Sequence, residues 1–371
     1  MKKKLNIFFS NSISKHKWGG GEKWMVTAAN GLKKRGHNTI LSGKANSEFL
    51  LRAQSENLDT LPLNIYADYN PLKIWHTKKI LQKHAIDVIV LNLNKDIRVA
   101  GIAARLAKVP VIIARNGIQL FSNKWKYKKT ISIVDGIITN SKSIQNAYNE
   151  FPWMNKKKTT VIYNGLKLRK TIEMHDIRKK WDIKKDSLVF VAAGRLTHQK
   201  GFDLLIEAAS KVKNPSKPFS ILIAGAGKDY DQLSNQIIKN KLTNKIKLIG
   251  FQENLDSILK SADFVIMPSR QEGMPNVVME GMALGRPVFA ANVNGVPELM
   301  DHMKTGYIFE PLDVDAISQA IEFAIENHKS EKISNWCITA KEHIAKNFTI
   351  EKMLDNLEDY FHYQYTLNNR K

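Results

Sequence analysis

Arg270-Gln271-Glu272-Gly273-Met274-Pro275-Asn276-Val277-Val278-Met279-Glu280 decides how this chain is read. The apolar run before it, Ala262-Asp263-Phe264-Val265-Ile266-Met267-Pro268, has the composition of a buried parallel strand. Gly273 and Pro275 interrupt that run, and a helical pattern follows them. A loop therefore leaves the carboxyl end of a strand and opens a helix, the position at which open α/β sheets hold ligands. Backbone N–H groups from Gly273 to Val277 lack intrahelical partners and are free to meet whatever sits there. Glu272 sets one carboxylate in the loop and Glu280 a second on the helix. Acceptor carboxylates beside free N–H donors suit a ligand with both hydroxyls and anionic oxygens, as a nucleotide sugar has.

Strand and helix alternate in the same way on both sides of this stretch. In the first half, strands are predicted over residues 5–9, 38–42, 86–91, 109–114 and 136–139. A glycine-rich turn, Trp18-Gly19-Gly20-Gly21-Glu22, precedes an amphipathic segment over 22–35, and a helix is predicted over 97–107. The rhythm restarts after Thr159-Thr160-Val161-Ile162-Tyr163-Asn164-Gly165, with strands predicted over 187–192, 220–224, 245–248, 264–267 and 287–290. Two α/β units follow, over 1–165 and 166–345, each a parallel sheet covered on both faces. Residues 346–371 form a terminal segment with helical pattern from about 350.

The chain has 371 residues, 43% of them hydrophobic, which suits two ordinary domains. Its single cysteine, Cys337, excludes an internal disulfide framework and fits a reducing, cytoplasmic setting. The opening Met1-Lys2-Lys3-Lys4-Leu5-Asn6-Ile7-Phe8-Phe9 has too short an apolar run for a signal peptide and reads as a first strand. No stretch is long and apolar enough to span a membrane. The net charge of +22 is unevenly divided: residues 1–165 hold 28 Lys and Arg against 9 Asp and Glu, and the rest hold 29 against 26. Lys124-Trp125-Lys126-Tyr127-Lys128-Lys129 and Lys156-Lys157-Lys158 concentrate the excess. A basic first half favours an anionic surface or acceptor, including peripheral contact with anionic lipid, and solvated lysines explain it equally.

Three blocks carry a family resemblance. Glu272-Gly273-Met274-Pro275-Asn276 runs on to Glu280-Gly281-Met282-Ala283-Leu284-Gly285-Arg286-Pro287-Val288. Asn294-Gly295-Val296-Pro297-Glu298-Leu299 precedes Thr305-Gly306-Tyr307, and Gly194-Arg195-Leu196 precedes Lys200-Gly201. In order and spacing these resemble the family 4 retaining glycosyltransferases (GT4, glycosyl transferases group 1). The resemblance implies the GT-B fold, two Rossmann-like domains facing a central cleft, with the final helix packed back on the first domain. It implies acceptor binding by residues 1–165 and donor binding by 166–345.

It also implies roles. The donor's sugar hydroxyls fall to Glu272, the ribose to Glu280, and the diphosphate to Arg195 and Lys200, which offset charge on the departing nucleotide. Gly273, Met274, Pro275, Asn276 and Val277 line the sugar, Phe251 of Gly250-Phe251-Gln252 lies by the nucleobase, and Gly20 and Gly21 approach the donor phosphate or the acceptor. Glu272, Arg195 and Lys200 are thus the catalytic candidates, by front-face attack rather than a covalent Glu272 intermediate. A cationic pair does without a metal, so neither metal nor cofactor is expected. Many family members carry a His after the strand ending at Leu91, where this chain has Asn92-Leu93-Asn94-Lys95-Asp96-Ile97-Arg98. Asn94, Lys95, Asp96, Arg98, Arg115 and Asn116, the last two in a loop Ala114-Arg115-Asn116-Gly117, are candidates for acceptor or donor contacts.

The expected reaction moves a hexose-type sugar from a UDP-sugar to a glycolipid or oligosaccharide acceptor in surface polysaccharide or lipopolysaccharide synthesis. A nucleotide-sugar 2-epimerase of the same fold would need no acceptor. A basic nucleic-acid-binding protein would account for the charge, but zinc-ligand spacing and RNA-binding aromatic motifs are missing, so no nucleic acid is expected. A non-catalytic scaffold conflicts with intact Arg195, Lys200, Glu272 and Glu280.

Overall fold

β-Branched and aromatic runs bounded by polar turns become strands buried along their length, because helices cover both faces of each sheet. The computed structural model describes residues 3–118, 120–169, 171–174 and 176–369. Met1 and Lys2 of the basic opening lie outside them, as do Gln119, Lys170, His175, Arg370 and Lys371. Two compact units result: residues 1–165 with 350–371, and residues 166–349.

The first unit carries β1 (Asn6–Asn11), β2 (Asn38–Gly43), β3 (Asp59–Pro62), β4 (Val88–Leu91), β5 (Val111–Asn116), β6 (Gly136–Thr139) and β7 (Thr159–Val161). Their order is β3-β2-β1-β4-β5-β6-β7, all parallel. The order reverses between β1 and β4, so a crevice opens there at the carboxyl ends. Arg115 and Asn116, expected in a loop, are the last two residues of β5 and are buried. The ladder from Arg115 to Ile138 and Asn116 to Thr139 extends the strand past the apolar run that marks it in sequence. Residues 94–98 are likewise helical: Asn94–Asp96 begins a helix that passes through a wider turn, Ile97–Gly101, to Leu106. Gly20 and Gly21 belong to the first turn of the helix Gly20–Lys34 rather than to a turn before it.

The terminal helix Ile350–Asn369 is part of this unit. Leu354, Leu357 and Phe361 join Phe9, Met25 and Leu32 in one apolar cluster under the sheet. The helices approach closely at Gly31, where a Cβ would lie 2.3 Å from Leu354 Cδ1 and push that side chain aside.

The second unit carries β8 (Leu188–Ala193), β9 (Phe219–Ala224), β10 (Ile246–Leu248), β11 (Phe264–Met267), β12 (Val288–Ala291) and β13 (Tyr307–Phe309). Their parallel order is β10-β9-β8-β11-β12-β13, which reverses between β8 and β11. The short β3, β7 and β13 were not expected from sequence; each has three or four residues and only partial burial. No helix among the described residues is long and apolar enough to cross a membrane.

Candidate active site

At the reversal point of the second sheet two loops meet. One leaves β8 through Gly194 and Arg195, makes a short turn His198–Lys200, and enters the helix Phe202–Lys211 at Gly201. Gly201 has φ +66°, and a Cβ there would lie 2.0 Å from the Pro268 carbonyl oxygen, so only glycine lets this loop touch the one that follows β11. Arg270 closes the junction. Its guanidinium holds both Asp203 oxygens at 2.6 Å and donates to the His198 carbonyl at 2.8 Å. Burial pushes the Asp203 carboxyl up, but Arg270's hydrogen bonds and charge hold it below its ordinary value.

That junction sets Lys200 Nζ 2.5 Å from Glu272 Oε1, with both side chains largely enclosed. Ser269 Oγ donates to the same oxygen at 2.7 Å. The helix Asn276–Ala283 begins beside this pair behind Pro275, which supplies no side-chain cap. Gly273, Met274, Pro275 and Val277 are buried around it, and Asn276 is half-buried. Arg195 stands exposed at the end of β8 and forms no ion pair among the described residues. The pairing of Lys200 with Glu272, the Ser269 contact and the Arg270–Asp203 latch were not read from sequence, since each joins residues far apart in the chain.

Glu280, buried on the same helix, faces elsewhere. It lines a cavity of about 110 Å³ together with Arg169, Asp256, Leu284 and Lys341. Arg169 pairs with Asp256 across it at 3.3 Å. Phe251 is 61% exposed and follows Gly250, whose carbonyl accepts from Gly225 N–H at the end of β9. The structure thus places Arg195, Lys200 and Glu272 on the loops at the carboxyl ends of the central strands β8 and β11, and gives Glu280 a separate cavity.

In the first unit the candidates gather at the carboxyl ends of β1, β4 and β5. Glu22 accepts from Asn11 Nδ2 at 3.2 Å, and Asn92 donates to Asn11 Oδ1 at 3.2 Å. Arg115 lies buried over Trp24, its Nη2 donating to Asn164 at 3.3 Å. Asn116 donates to the Tyr148 hydroxyl at 3.0 Å, a packing role. Asn94 and Lys95 are half-buried, Asn94 Nδ2 reaching the Leu120 carbonyl at 3.4 Å. Arg98 is committed to Asp68 at 2.5 Å and Thr130 at 3.2 Å. Asp96 is fully buried and accepts from Ser12 N–H (3.1 and 3.2 Å) and Leu93 N–H (3.1 Å); burial raises its pKa to about 6. It clamps the loop after β1, a structural task that the sequence did not disclose.

Two groups invite a metal reading. His37, Glu358 and His362 converge in the first unit. Leu5 N–H donates to His37 Nδ1 at 3.1 Å, so a neutral ring carries its proton on Nε2, the atom that faces Glu358 at 3.4 Å, and that proton closes it to a metal. Asp-X-Asp triplets also stand at Asp229-Tyr230-Asp231 and Asp313-Val314-Asp315. Asp313 caps the helix Val314–Glu326 and Asp315 pairs with Lys211 at 2.7 Å, so both carboxylates are occupied.

Two family models match, glycosyltransferase family 4 over residues 18–170 and glycosyl transferases group 1 over 173–342. The chain belongs to the family 4 glycosyltransferases. This glycosyltransferase is 28% identical over 300 residues to the Escherichia coli UDP-Gal:alpha-D-GlcNAc-diphosphoundecaprenol alpha-1,3-galactosyltransferase, covering 76% of its own length and 77% of that protein. A glycosyltransferase of Rickettsia africae ESF-5 matches its structure with TM-score 0.86 at 19% identity, over 97% of this chain and 98% of the other. Anabaena Alr3699/HepE, solved in complex with UDP and glucose, matches with TM-score 0.82 at 20% identity, over 96% and 99%. These likenesses establish the GT-B fold for the glycosyltransferase, with two parallel-sheet α/β domains.

Proposed function

We propose that this glycosyltransferase takes a hexose-type sugar from UDP and transfers it, with retention, to a glycolipid or oligosaccharide acceptor in surface polysaccharide synthesis. The Lys200–Glu272 pair beside an uncapped helix N-terminus carries the reading. A fixed cation, the start of a helix and exposed Arg195 suit the diphosphate, and offset the charge that develops as it leaves. Glu272, whose Oε1 accepts from Lys200 and Ser269, has lone pairs left for sugar hydroxyls. The cavity beside Glu280, lined by Arg169, Asp256 and Lys341, is the place for the nucleoside part, and the relatives' UDP-linked donors support that base. Because Arg195 and Lys200 supply the positive charge, the reaction needs no metal.

The acceptor side rests on the first unit, whose basic surface supports contact with anionic lipid at the cytoplasmic membrane face. Leu72 (79% exposed), Trp75 (60%) and Trp125 (69%) stand on helices Pro71–Lys83 and Trp125–Ser132. Ile74, Ile80 and Tyr127 of those helices pack on one apolar cluster, so the two helices cover the same face of the sheet. Lys79 lies over Trp75 and Lys129 over Trp125, at 5.7 and 4.1 Å. Such lysine-flanked aromatics seat at a headgroup boundary. The test is transfer from UDP-[14C]hexoses to lipid extracts with EDTA present: labelled glycolipid is expected, and no transfer without added divalent metal would overturn metal independence.

A further inference from the structure

Three cations of the second unit gather near the amino ends of β11 and β12, away from the candidate donor site. Lys260 lies in the last turn of the helix Leu255–Ser261, and Arg286 stands between the helix Asn276–Ala283 and β12. The two helix ends are stapled crosswise. Lys260 Nζ donates to the Leu284 carbonyl at 3.2 Å, and Arg286 Nη1 donates to the Ala262 carbonyl at 3.1 Å. Lys341 of the helix Glu331–Asn347 lines one cavity with Leu284 and so brings a third charge to the same place. Burial, and then the charges of Arg286 and Lys341, hold the Lys260 pKa below its ordinary value.

Capping explains why two of these cations are fixed, since carbonyls at helix ends attract them. It does not explain the group. An ammonium has three N–H donors and a guanidinium five, and each cap uses one. Arg286 Nε is buried without a hydrogen-bond partner. None of the three cations forms an ion pair among the described residues, and Asp256, one turn before Lys260, is committed to Arg169 at 3.3 Å. Burial pushes the neighbouring Cys337 thiol up to about 11 despite the Arg286 charge, so no thiolate offsets it. Like charges held together in this way repel until an anion joins them.

We propose that Lys260, Arg286 and Lys341 bind a phosphate group, at the opposite end of the sheet from Arg195 and Lys200. A phosphate brings the missing negative charge and several acceptor oxygens, and a planar guanidinium beside ammonium groups suits it. Its source is either free phosphate or the headgroup of an anionic lipid. Calorimetry of the full chain with inorganic phosphate tests the site, and co-sedimentation with phosphatidylcholine vesicles, with and without phosphatidic acid, separates the sources. The phosphate arm is run in a Lys200→Ala background, so that the donor-side lysine does not supply the signal. Lys260→Gln and Arg286→Gln each remove a charge and can still donate to the capped carbonyls. Lys341→Gln changes an exposed side chain that braces neither helix end, and Arg286→Lys keeps the charge. Thermal melting checks that each variant folds.

The three Gln variants are expected to bind phosphate roughly 10-fold more weakly, the loss of a charge-assisted hydrogen bond, while Arg286→Lys retains most of the affinity. An accompanying loss of the vesicle binding that depends on phosphatidic acid assigns the site to a lipid headgroup, and a loss with phosphate alone assigns it to the free ion. Unchanged phosphate affinity in the folded Gln variants, or no phosphate binding by the folded Lys200→Ala parent, would overturn the site.

Discussion

Lys200 and Asp96 show how differently two charged residues can be used. Lys200 is held by Glu272 at 2.5 Å, where a departing diphosphate would place its charge. Lys200→Ala should lower kcat by roughly 100-fold or more with little change in melting temperature, as loss of a positioned charge does elsewhere; an unchanged kcat would remove its assigned role. Asp96 is buried and titrates near 6 in the fold against an ordinary 3.8. The native state then keeps a proton that the unfolded chain releases, so this group's stabilising contribution is full below about pH 4 and is lost as pH rises through 6, an effect of up to about 3 kcal/mol. Asp96→Asn should flatten that part of the stability curve; urea melts across this range with identical slopes for both proteins would contradict it. The site was legible where chemistry is local, as in Glu272-Gly273-Met274-Pro275-Asn276. It was not legible where partners come from distant loops, as Lys200 with Glu272 or Asp96 with Ser12.

Secondary elements place these residues through close contacts that only glycine allows. Gly201→Ala forces a methyl group against the Pro268 carbonyl in a left-handed backbone position. A loss of about 1–3 kcal/mol is expected, together with weaker donor binding because Lys200 is the preceding residue. Loss of stability alone, with donor affinity intact, would show that the loop does not position Lys200. Strand interiors were readable from their apolar runs, and the helices from their periodicity. Strand ends were not: the ladder carries β5 through two polar residues, Arg115 and Asn116, because pairing with β6 is made by backbone groups whatever the side chain. The edge strands β3, β7 and β13 lack a long apolar run, since an edge is buried on fewer sides.

At the scale of the whole molecule, charge and exposed aromatics point to a division of labour between the units. The basic first unit offers Trp75 and Trp125 among lysines, and the nearly neutral second unit holds the candidate donor site. Anionic vesicles should bind the protein, more weakly at high salt, and the double substitution Trp75→Ala and Trp125→Ala should reduce binding roughly 10-fold. Equal binding to neutral and anionic vesicles would refute the charge argument. The two-unit parallel architecture was readable from the restart of the strand–helix rhythm near residue 165. The return of the last helix to the first unit came only from the family resemblance, because a helix's own pattern does not say which surface it covers.

On the proposed function, the second unit binds a nucleotide sugar at Arg195, Lys200 and Glu272, with Glu280 holding the nucleoside. Calorimetric titration of wild type and Glu280→Ala with UDP in EDTA tests it most directly. Metal-free binding by wild type, weakened by about 1.5–3 kcal/mol in the variant, is the predicted result. Equal affinity of the two proteins for UDP, or no binding by folded wild type, would contradict it.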